Sequence, residues 1–212
     1  MSLLDAARAR AELEPAERGR ILLRIAWEVV ARSTGRPLPA DPEVRRAPFL
    51  RRHGAVFVSL HRPLAAGRGE LRGCLGTLEP FRPLIDDLDG NASAVVDRDP
   101  RFPPVSADEL DRLALEVTEI EPLRALETRN RDHLLALLRP GIDGLVVRHD
   151  GRQATFLPRV WEGGQVSPEQ FVSALLEKAG LPRGFWSAEL ELLTYETRSW
   201  SSCWPGSSRP PM

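Results

Sequence analysis

Apolar side chains recur at helical spacing through Ile21, Leu22, Ile25, Ala26, Val29 and Val30. Pro15 suits the first turn of such a helix and Ser33-Thr34-Gly35 ends it, so this stretch predicts an amphipathic helix. Pro37, Pro39, Pro42 and Pro48 then mark an extended connector lying over a surface. Residues 55–61 are β-rich, and after a loop with Gly67 and Gly69 the residues 71–78 form their natural hairpin partner. Helical spacing returns over residues 83–96 despite Gly90, and residues 99–104 read as a rigid turn. Residues 113–120 alternate as a strand, with a short helix through Leu134, Leu135, Leu137 and Leu138 after them. Residues 144–148 and 153–157 flank Asp150-Gly151, a strong hairpin dipeptide. Pro168 opens a helix that carries Phe171, Leu175 and Leu176 to Gly180, and residues 190–195 supply a last strand. Hairpins mixed with helices, without regular β-α-β alternation, predict an α+β fold with a largely antiparallel sheet and flanking helices.

Residues 1–14 read as an N-terminal extension and residues 15–197 as the domain. Residues 198–212, rich in Ser, Pro and Gly, are expected to form a disordered tail, although Trp200 and Trp204 are odd residues to leave in water. The 212 residues are 42% apolar and 28% charged, the balance of a globular chain. A formal net charge of -1 provides no uniform field for a polyanion, which disfavours nucleic acid as a partner. Lys178 is the single lysine, so all other basic side chains apart from histidine are arginine. The two cysteines, Cys74 and Cys203, form neither a disulfide framework nor a zinc-binding spacing, which suits a reducing compartment. No apolar run reaches the roughly 18 residues of a membrane helix, and the start of the chain does not read as a leader, so a cytoplasmic protein without a membrane partner is expected.

The chemistry concentrates in Arg72-Gly73-Cys74-Leu75-Gly76. Glycines within a strand give up packing and admit close backbone approach. A hairpin loop centred on residues 65 and 66 would set Cys74 opposite Phe57 and put Ser59 and His61 on the face of Arg72 and Glu70. That face would favour a thiolate nucleophile at Cys74, with Arg72 orienting an anionic group and His61 as base. The competing reading makes Cys74 a small buried hydrophobe and Arg72 an ion-pairing residue. Asp86, Asp87 and Asp89 read as a solvated helix face. The four histidines fit no metal-site spacing, so neither a metal nor a cofactor is expected.

The run Leu71-Arg72-Gly73-Cys74-Leu75-Gly76-Thr77-Leu78 resembles the signature of the AMMECR domain family, in which isoleucine commonly stands at the place of Leu75. The resemblance continues through residues 99–104, 138–145, 154–158 with Val160-Trp161, and 178–182 with Trp186. It departs at Arg159, where glutamine is usual, and leaves out the segment from Trp200 onward. It implies two unequal, interleaved subdomains with the Arg72 motif beside a cleft, where Gly73, Gly76 and Arg101 would serve binding. It also implies an AmmeMemoRadiSam setting in which Memo-like and radical-SAM proteins are partners. The chain itself lacks a C-x-x-x-C-x-x-C cluster motif. Two functions remain open: an enzyme component using Cys74, or a non-catalytic module that binds a protein or peptide.

Overall fold

The computed structural model describes residues 13–63, 69–162 and 166–205. Residues 1–12 of the expected N-terminal extension 1–14, residues 64–68 of the first hairpin loop, and residues 163–165 and 206–212 lie outside the described residues. The chain divides into two units. One comprises the residues up to 120 together with those from 198 onward, and the other is residues 121–197.

In the first unit, helix α1 (Pro15–Ser33) begins on its proline, as expected, and Ile21, Leu22, Ile25, Ala26, Val29 and Val30 are all buried. The proline-marked connector is tightened into two short 3-10 turns, Val44–Arg46 and Pro48–Arg51. Strands β1 (Ala55–Arg62) and β2 (Glu70–Gly76) form the expected antiparallel hairpin, followed by helix α2 (Leu84–Asp97) and strand β3 (Ala114–Ile120). Val56, Val58 and Leu60 of β1 join Leu115 and Val117 of β3 in one core with the apolar faces of α1 and α2. Period-2 alternation makes this possible, because it gathers the β-branched and leucine side chains onto the face that the helices cover.

Two expectations are corrected here. The segment after residue 197 is not a loose tail over its described part. Thr197–Cys203 is a strand, β8, which completes a sheet of order β2-β1-β3-β8. Trp204 follows it into the core at 3% exposure, its ring edge-on to Trp27 at 5.2 Å, while Trp27 Nε1 donates to Ser202 Oγ at 2.9 Å. The indole area gained there outweighs a local composition that by itself favours disorder. The acidic run of α2 is also no uniform solvated face. Asp86 is exposed and Asp89 pairs with Arg45, but Asp87 is fully buried. A carboxylate is tolerated there because Val56 N–H, Thr77, Arg82 and Asn91 all donate to it.

The second unit has strands β4 (Arg124–Ala125), β5 (Gly144–His149), β6 (Arg152–Phe156) and β7 (Glu191–Tyr195) in the order β4-β7-β5-β6, with helices α3 (Arg131–Leu137) and α4 (Pro168–Lys178). Asp150 and Gly151 have φ of 48° and 71°, the pair of left-handed residues that a type I′ turn demands. Ser167 and Gln170 form a capping box at the start of α4. Trp161 stacks on Phe171 at 3.9 Å in this unit's own core.

Candidate functional site

The pairing of β1 with β2 differs from the expected register. Ser59, not Phe57, lies opposite Cys74, while Phe57 faces Gly76. The register then shifts between Leu60, which faces Gly73, and His61, which faces Leu71. Arg72 is therefore the extra residue of a β-bulge, and simple i, i+2 alternation does not carry from Cys74 to Arg72. His61 lies two residues along β1 from the Ser59 that faces Cys74.

The Arg72 side chain is 4% exposed and closed within the protein. Its guanidinium donates to Glu109 through Nε at 2.8 Å and Nη2 at 3.0 Å, and to the Pro104 carbonyl at 3.2 Å. Glu109 also receives Arg62 at 2.9 Å and the Ser106 N–H at 3.1 Å. The Arg72 guanidinium, helped by Arg62 and the Ser106 amide, holds the Glu109 carboxyl down to about 2 against the opposing cost of burial.

Cys74 is half-buried on the outer edge of the hairpin. Its N–H donates to Asp99 Oδ2 at 2.9 Å and its carbonyl accepts from Arg101 Nη2 at 3.3 Å. Arg101 also grips Asp99 through Nε at 2.9 Å and Nη2 at 2.7 Å. This clasp satisfies backbone groups that an edge strand would otherwise leave open at Cys74. The Arg101 guanidinium, together with the amides of Cys74 and Arg101, keeps Asp99 well below the usual carboxylate range although it is buried. Asp99 was missed in the sequence, yet a signal existed. An Asp two residues before an arginine, across a proline, can bond the backbone two residues on, as Asp99 Oδ1 does with Arg101 N–H at 3.2 Å. Phe102 sits beside both arginines, with its ring centroid 5.4 Å from the Arg101 guanidinium carbon and 6.0 Å from that of Arg72.

The motif glycines have steric reasons to be there. A Cβ on Gly76 would stand 2.2 Å from the Phe57 ring, and one on Gly73 would stand 3.1 Å from Val95 of α2. The structure thus brings together Cys74, Arg101 and the unforeseen Asp99, and separately ties Arg72 to Glu109. Among the described residues no group of three or more His, Cys, Asp or Glu side chains is arranged to hold a metal ion, and no helix is long and apolar enough to cross a membrane. The second unit holds a cleft of about 600 Å³ lined in part by Phe156, Val160, Phe171, Ala174, Glu169 and Arg183. Glu169 is already engaged by Arg131 and Arg183 by Glu177.

Comparison with known proteins bears on the same residues. A Methanothermobacter thermautotrophicus protein is 37% identical over 171 residues, covering 78% of this chain and 84% of its own length. A Thermofilum pendens protein is 34% identical over 176 residues, covering 81% and 83%. The crystal structure of an uncharacterized protein from Pyrococcus horikoshii superimposes with a TM-score of 0.76 at 27% identity, covering 92% of this chain and 97% of that one. It shares the mixed arrangement of helices and antiparallel sheets. The AMMECR1 family matches residues 23–200, a span that holds the Cys74 strand, the Asp99–Arg101 clasp and the second unit entire, and the chain belongs to that family.

Proposed function

We propose that this protein is a non-catalytic binding module in which the Cys74 edge, held by Asp99 and Arg101, supports a docking surface for protein partners. The observation that carries this reading is the closure of Arg72. A guanidinium 4% exposed, with Glu109 and the Pro104 carbonyl on its donors, is not available to orient a substrate anion. Packing against Phe57 and Val95 gives both glycines a steric reason that needs no ligand, which supports this reading. Memo-like and radical-SAM proteins are the partners the family resemblance suggests, and copurification with each of them tests that part of the reading. A second reading keeps Cys74 as a nucleophile with Arg101 in place of Arg72, because Arg101 is 56% exposed and reaches the Cys74 carbonyl.

Iodoacetamide labelling followed by mass spectrometry separates the two readings, since only a thiolate attacks. For a binding module, Cys74 at pH 7 in the native protein labels no faster than Cys74 in the urea-unfolded chain. Faster native labelling, lost in Arg101→Met, overturns the module and establishes the nucleophile.

A further inference from the structure

The cleft of about 600 Å³ in the second unit has helix α4 as one wall, where Gln170 and Ala174 lie a turn apart on one face, as do Glu169 and Ser173. Its floor is apolar. Phe156 and Val160 flank the core of this unit there, with Phe156 edge-on to Phe171 at 5.4 Å and Phe171 stacked on Trp161 at 3.9 Å. A volume of that size exceeds what one ion or side chain fills and matches a small organic molecule. A ligand that covers the apolar floor gains by removing it from water.

The polar groups decide what kind of molecule fits. Arg131 Nη2 donates to Glu169 Oε1 at 2.8 Å and to Ser173 Oγ at 3.0 Å, and Ser173 Oγ in turn donates to the same Glu169 oxygen at 3.2 Å. Arg131 holds Glu169 below the usual carboxylate range, so Glu169 is ionised and only accepts. Its second oxygen, Oε2, carries no hydrogen bond among the described residues. Gln170 is fixed as well, because its Oε1 accepts from the Ser167 N–H at 2.9 Å in the capping box. That bond assigns the amide oxygen to Ser167 and leaves the NH2 as a donor with no acceptor among the described residues. The two charged side chains that line the cleft are each paired within the protein, Glu169 with Arg131 and Arg183 with Glu177 at 2.7 Å. Lys178, 5.0 Å from the Phe156 ring centroid, donates to the Thr155 carbonyl at 2.9 Å. What is left over is one acceptor and one donor on neighbouring residues above an apolar floor, the complement of a neutral amide carried on an apolar body.

We propose that this cleft binds a small, uncharged molecule with an apolar body and a carboxamide-type head, its carbonyl accepting from Gln170 Nε2 and its N–H donating to Glu169 Oε2. The site lies within the second unit and goes beyond the binding-module reading of Cys74, so neither proposal depends on the other. Benzamide is the probe; toluene, benzoate and benzylamine carry the same ring with no polar head, an anionic head and a cationic one. Each is titrated into the full chain while NMR follows the backbone amides of residues 169–174, with residues 72–76 as the internal reference. Benzamide should shift the α4 amides alone, with a Kd of about 10 mM or tighter, the scale for a ligand of its size. Each control should bind about tenfold more weakly, the difference that two net hydrogen bonds supply. Gln170→Glu preserves the capping box, since a carboxylate also accepts from the Ser167 N–H, and removes the donor. That variant should keep the parent melting temperature and lose about fivefold in benzamide affinity. Ala174→Phe, which fills the cleft, should abolish binding. No saturable shift, equal shifts at residues 72–76, equal affinity for toluene or either charged probe, or benzamide binding unaffected by Gln170→Glu would each overturn the proposal.

Discussion

Removing the Trp204 ring tests the packing logic of the first unit most directly. The ring is 3% exposed, contacts Trp27 edge-on at 5.2 Å and has the Arg36 guanidinium carbon 5.2 Å from its centroid. Trp204→Ala forfeits that buried area and leaves a cavity, which for a tryptophan costs about 3–5 kcal/mol. One opposing contribution can be named. Among the described residues Trp204 Nε1 is buried without a hydrogen-bond partner, a defect that costs about 1–3 kcal/mol and disappears with the ring. The midpoints of the two ranges leave a net loss of about 2 kcal/mol, and at about 2–4 °C per kcal/mol for chains of this size the melting temperature falls by roughly 4–8 °C. Trp204→Phe keeps most of the apolar area and removes the unpaired donor, so it should lie within about 1 kcal/mol of the parent. Differential scanning calorimetry of parent, Trp204→Ala and Trp204→Phe measures this. A shift under about 2 °C for the alanine variant, or equal losses for both, would refute the argument that Trp204 is a core residue whose indole nitrogen is a liability.

Glu109 has its carboxyl lowered from 4.5 to about 2, so its pairing with Arg72 stabilises the fold fully above pH 4.5 and is lost as pH falls toward 2. Glu109→Gln should flatten the dependence of melting temperature on pH between those limits; an unchanged slope would contradict it. Gly76→Val should cost about 1–3 kcal/mol by forcing a side chain against Phe57. Phe57→Ala should recover part of that loss in a denaturation double-mutant cycle, whereas additive losses would mean that Gly76 is required for something other than this contact.

Much of the α+β architecture was legible in the residues because it is decided locally. The apolar spacing from Ile21 to Val30 suits a helix that buries one face, and Asp150-Gly151 suits a turn with two left-handed residues, whatever the rest of the chain does. The candidate site was legible as a location and less so as a geometry. The motif around Cys74 identifies the strand, but the bulge at Arg72 depends on how the hairpin closes over residues far from the motif, and one step of register reassigns every cross-strand neighbour. Asp99 and Glu109 reach the strand from 25 and 37 positions away; the Asp-Pro-Arg turn marks Asp99 locally, but it does not say which strand the carboxylate meets. Asp87 and Trp204 were misread for one physical reason. Composition reports what a side chain prefers when its surroundings are average, whereas a buried carboxylate with four kinds of donor or an indole set against Trp27 is stabilised by surroundings that exist only once the fold has formed.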